Sequence, residues 1–180
     1  GTLGDIGIFS FGYEKIIDAG GGGAILTNRH DFAGELKKGV TGYKGNREWI
    51  KRLDFLINSI DDNLSTRREN ALLYKKYLNT DFVIHPEYSD GVGTFFRYSC
   101  VLNHNCRSKL LMGLKEDGGL ITALYSQPLH AIHDNHDGNF QNTDFIAQRV
   151  INMFVRSPYT DEYIIKITDK IKRILEKIHA

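Results

Sequence analysis

Cysteine is scarce in this 180-residue chain: only Cys100 and Cys106 occur, with no metal-ligand companions at the usual spacing. Two thiols exclude a disulfide framework and read as reduced side chains of a cytoplasmic protein. Proline occurs only at 86, 128 and 158, so the elements should run long and each proline should mark a boundary. No apolar run approaches the roughly 20 residues that a membrane span needs. Neither sign of charge dominates. Lys plus Arg number 23 against 22 Asp plus Glu, and a net +1 gives no broad electrostatic footprint for nucleic acid or an acidic membrane surface. No basic-then-apolar leader follows Gly1, so no signal peptide is read there. With 41% apolar and 25% charged residues, the composition is that of an ordinary soluble globular chain, far from a disordered one.

Glycine is what the chain has in plenty, 18 residues, four of them in the block Gly20 to Gly23. Asp5 to Phe11 (DIGIFSF) suits a short buried strand, and Ala24 to Thr27 a second one. Between them the glycine block supplies a turn free of side-chain clashes. Asn28 to Lys38 predicts a short helix, followed by a polar loop from Gly39 to Asn46. From Lys51 to Leu78 there is no Pro or Gly, and Leu53, Ile57, Ile60, Leu64, Ala71 and Leu78 repeat with helical spacing. The pattern predicts one long amphipathic helix joining two domains. Beyond it the sequence predicts strands at 82–85, 94–102 and 120–124, with a helix from Arg107 to Glu116. A helix capped by Thr143 should run to Val155, with Ile146, Val150, Met153 and Phe154 on one face. After Pro158, Thr160 caps a final helix striped with Ile164, Ile167, Ile171, Ile174 and Ile178. The domains are therefore expected at 1–50 and 81–180, with 51–80 as the linking helix.

Lys15 carries the chemical expectation. It lies between a strand end and the glycine block, flanked by Phe11, Tyr13, Ile16 and Ile17. Apolar neighbours should desolvate it, which disfavours the ammonium and leaves a nucleophilic amine suited to a Schiff base with a carbonyl cofactor. The plainer alternative is a solvated loop lysine.

The run SFGYEKIIDAGGGGAILTN resembles the lysine motif of the DegT/DnrJ/EryC1/StrS aminotransferases: Ser-Phe, three residues, Lys, four residues, then a glycine-rich block. Similarity continues in Arg67, Arg68 and Ala71, in Gln127-Pro128-Leu129-His130, and in Arg149 to Pro158, and so covers the latter part of the family's length. The resemblance implies a fold-type I, aspartate-aminotransferase-like pyridoxal 5'-phosphate enzyme: the end of the large cofactor-binding domain and the C-terminal small α/β domain. It implies a homodimer that transfers an amino group, with glutamate as donor, to a nucleotide-linked keto sugar, acting on neither nucleic acid nor membrane. It further implies that Lys15 binds the cofactor covalently and shuttles a proton, and that Ser10 hydrogen-bonds the cofactor phosphate, where a plain strand-end serine is the other reading. His130 would face the substrate. At Gly42 to Trp49 the chain departs from the family's Asn-x-Arg pattern, which leaves a second function class open: a non-catalytic homologue serving as a binding or assembly module.

Two other groups carry weaker expectations. His130, His133 and His136, with Asp134 and Asp137, could offer imidazoles to zinc, but the spacing is not that of a familiar zinc helix and plain loop is favoured, so no metal is expected. Arg67 could bind a carboxylate, although snorkelling or an intrahelical pair is the commoner fate.

Overall fold

The computed structural model describes residues 3–39, 47–87, 91–116, 121–122, 127–132 and 138–180. The chain divides into two compact units, Gly1–Leu64 and Ser65–Ala180.

In the first unit, β1 (Gly7–Ser10) and β2 (Gly23–Leu26) pair antiparallel, Gly7 opposite Leu26 and Ser10 opposite Gly23. Helix α1 (His30–Gly39) follows, then α2 (Arg47–Asn58). Helix α3 (Ile60–Tyr77) begins in this unit and ends in the next. The expected single helix over 51–78 is thus two. Ser59 stands between them, its hydroxyl donating to the carbonyls of Phe55 (3.1 Å) and Leu56 (3.3 Å). Such back-bonding bends a helix by competing for the backbone acceptors. The amides of Ser59 and Asn63 still bond four residues back, to Phe55 and Ser59 at 3.2 Å each, so the helical phase carries across the interruption.

The second unit is built on a fully antiparallel sheet in the order β3 (Val83–Ile84), β4 (Tyr98–Leu102), β6 (Val150–Met153), β5 (Ile121–Thr122). In β4, Tyr98, Cys100 and Leu102 are buried and the residues between them half-buried, as a period of two requires. Those side chains join Tyr74 and Leu78 of α3, Leu110 and Leu114 of α4 (Arg107–Glu116), and Ile164, Ile167, Ile171 and Leu175 of α7 (Asp161–His179) in one core. Thr160 caps α7 as expected, its side chain accepting from the Tyr163 amide.

Two expectations are corrected here. Strand β4 begins at Tyr98 rather than 94, because Arg67 donates to the carbonyls of both Phe95 and Phe96 at 3.2 Å and Phe95 adopts φ +47°, neither compatible with a sheet ladder. Arg67 does not snorkel. It is buried, and that burial, followed by the nearby Arg156 and Arg97, pulls its guanidinium below the ordinary arginine range. The second correction is larger. Helix α6 spans Gln141–Arg149, begins without a side-chain cap, and gives way to β6, whose four residues are all buried. A strand covered on both faces shows no alternation, so VINM fits a helical repeat as well as an extended one. The predicted strand at 120–124 is observed at Ile121–Thr122, its remaining positions lying outside the described residues.

Both cysteines are free and buried, and burial pushes both thiols above the ordinary range. A raised pKa means less thiolate at a given pH. Iodoacetamide at pH 8 is therefore expected to leave Cys100 and Cys106 unmodified in the folded chain and to label both in denaturant. Mass spectrometry showing fast labelling of either thiol in the native chain would contradict this packing. Among the described residues no helix is long and apolar enough to cross a membrane.

Candidate active site

The loop from residue 11 to residue 22 closes the β1–β2 hairpin, and its backbone is tied at the base. Phe11 donates its amide to the Gly22 carbonyl (3.0 Å), and its own carbonyl accepts from Ala19 (3.0 Å) and Gly21 (3.1 Å). Asp18 braces the interior of the loop: one carboxylate oxygen accepts from the Glu14 amide at 2.8 Å, the other from the Gly20 amide at 2.9 Å. The return to β2 runs through Gly20, Gly21 and Gly22, all at positive φ, a region that side chains rarely adopt. At Gly22 space adds to the requirement, because a Cβ would lie 2.7 Å from the ring of Trp49.

Gly12 links the two residues expected to meet a cofactor. Its amide donates to the Ser10 hydroxyl oxygen at 3.5 Å, and its carbonyl accepts the Lys15 amide at 3.1 Å. Lys15 and Ser10 thus sit on one short stretch, and both are exposed. The expected desolvation of Lys15 is not found. Ile16 and Ile17 are half-buried, Tyr13 is exposed, and sequence neighbours in a tight loop diverge in space instead of enclosing the residue between them.

Three side chains from α2 and α3 hold the far limb of the loop. Trp49 Nε1 donates to the Gly21 carbonyl (2.9 Å), Arg52 Nη2 to that of Asp18 (3.3 Å), and Asn63 Nδ2 to that of Ile16 (2.7 Å). The Trp49 ring also meets buried Phe11, with centroids 6.1 Å apart. Sequence reasoning missed all four supports. Asp18, two residues before the glycine block, was the one detectable signal, because Asp side chains bond nearby backbone amides in turns.

In the second unit His130 lies on α5 (Leu129–Ile132), its Nε2 2.9 Å from an Asp144 carboxylate oxygen and its ring stacked on Phe140 at 4.6 Å. His133, Asp134, His136 and Asp137 lie outside the described residues. Among those described, no group of three or more His, Cys, Asp or Glu could hold a metal.

Over its length the chain has the fold of solved aminotransferases. Aminotransferase TlmJ from Streptoalloteichus hindustanus superimposes with a TM-score of 0.85 at 19% identity, over 99% of this chain and 54% of that structure. A DegT DnrJ EryC1 StrS aminotransferase from Brucella abortus gives 0.78 at 22% identity, over 94% and 51%. In sequence, GDP-perosamine synthase of Escherichia coli O157:H7 is 32% identical over 115 residues, 55% of this chain and 32% of the relative. The chain spans about half the length of these solved structures and about a third of that relative. No family model matches it. The Brucella abortus structure carries the name of the family that the lysine motif resembles.

Proposed function

We propose that this chain is the lysine-bearing part of a pyridoxal-phosphate-dependent aminotransferase that moves an amino group from glutamate to a nucleotide-linked keto sugar, in amino-sugar and surface-polysaccharide biosynthesis. The observation that carries this is the in-register lysine motif, folded as a braced loop with Lys15 exposed, in a chain with an aminotransferase fold. The likeness to an enzyme named for an amino-sugar product supports the substrate class.

The donor set fits the cofactor. Lys15 offers an accessible primary amine, and the Ser10 oxygen accepts from Gly12 while its hydroxyl hydrogen can still be given to a phosphate oxygen. Pyridoxal phosphate, when bound, supplies the aldehyde that carries the amino group and the ring that takes up the electron pair released at the donor carbon. Lys15 would attach to it and, once displaced by the donor amine, act as general base and then general acid, moving one proton at its Nζ. Glutamate leaves as its 2-oxo acid and the sugar carbonyl becomes an amine. His130, oriented by Asp144 and Phe140, would contact the substrate. The protein would act in the cytoplasm as a homodimer.

The test uses the full-length protein with pyridoxal phosphate, nitrogen-15 glutamate and a panel of nucleotide keto sugars. Heavy nitrogen should appear in the sugar product, borohydride should fix a pyridoxyl group on Lys15, and light scattering should give a dimer. No label in any sugar together with no pyridoxyl on Lys15 would overturn the reading.

A further inference from the structure

The three donors that reach the lysine loop, Trp49, Arg52 and Asn63, come from one side of the helical arm formed by α2 and the start of α3. Trp49 and Arg52 are three residues apart, one helical turn, and Asn63 follows eleven residues later, three turns on. The hydrogen bonds across Ser59 preserve that phase. Their acceptors, the carbonyls of Ile16, Asp18 and Gly21, are spaced along the limb that leaves Lys15. Gly22 then meets the Trp49 ring so closely that no side chain could stand there.

We propose that Trp49, Arg52 and Asn63 form a carbonyl clamp that positions the Lys15 loop, with Trp49 as its principal member because it alone combines a hydrogen bond with ring contacts to Phe11 and Gly22. They are positioning residues, acting on the lysine through the backbone. The proposal rests on Lys15 being the cofactor lysine. An exposed amine on a long side chain reaches a fixed target reproducibly only when its backbone is held, and the Asp18 brace fixes the loop internally but not against the rest of the unit. The clamp supplies that second attachment.

The experiment uses the full-length protein with Trp49→Phe, which keeps a ring and removes the Nε1 donor, Trp49→Ala, and Asn63→Ala as an independent variant distant in sequence. Hydrogen–deuterium exchange is measured without cofactor. The peptide covering residues 11–22 should exchange about fivefold faster in Trp49→Phe and more in Trp49→Ala, the size expected for one lost hydrogen bond, while peptides from α7 stay unchanged. Separately, borohydride labelling at limiting pyridoxal phosphate should need several-fold more cofactor for half-labelling of Lys15 in Trp49→Ala and Asn63→Ala. If wild type never carries the label on Lys15, the functional reading fails and the exchange data still decide the clamp. If wild type is labelled and the variants match it in both measurements, the clamp is refuted. Equal acceleration in every peptide would also refute it, since a general support of the fold is not a positioning device.

Discussion

Lys15→Arg in the full-length protein is expected to lower amino transfer by at least about 100- to 10,000-fold, the range that general acid–base catalysis contributes, and to abolish borohydride-fixed pyridoxyl on this loop. Arginine retains the positive charge and a similar reach, but its guanidinium stays protonated, so it can neither attack an aldehyde nor accept the proton at the donor carbon. Lys15 is exposed, its amide bonds the Gly12 carbonyl whatever side chain follows, and arginine keeps the charge. Loss of activity should therefore come without loss of stability. Unfolding curves of variant and wild type should coincide, and a variant retaining more than a tenth of wild-type turnover would remove Lys15 from the chemistry.

The other large effect concerns stability, and it separates the two descriptions of residues 143–155. Were this stretch one helix with Ile146 and Val150 on the buried face, Ile146→Ala would be costly. In the structure Ile146 is 48% exposed on α6, whereas Ile151 in β6 is fully buried opposite Cys100. Ile151→Ala removes methyl groups from a closed core and is expected to cost about 2–5 kcal/mol, against about 1 kcal/mol or less for Ile146→Ala near the surface. Denaturant titration of the two variants measures both. A larger loss for Ile146→Ala would reinstate the helix.

What could be read from the sequence was whatever announces itself locally. The strand, loop and strand around Lys15 are visible because glycine marks the return, and α7 because Thr160 and a regular isoleucine stripe mark its start and inner face. Helix α4 was placed at its observed limits. By contrast β6 has no local signature, since a strand buried on both sides lacks polar alternation. The clamp was invisible for another reason: Trp49, Arg52 and Asn63 lie 28, 34 and 47 residues from the carbonyls they bind. A backbone acceptor leaves no trace in residue identity. The exposure of Lys15 was misjudged because adjacency along the chain was taken for adjacency in space.

Trp49 is the chain's single tryptophan, and its indole rests on the glycine return itself. Tryptophan emission from this chain therefore comes from one known place, with its N–H on a loop carbonyl and its ring on Phe11 and Gly22. Any event that loosens the hairpin loop, changes its hydration or brings an absorbing chromophore to Lys15 alters that emission directly. The fold carries its own optical probe at the candidate site, readable in unlabelled protein and in real time.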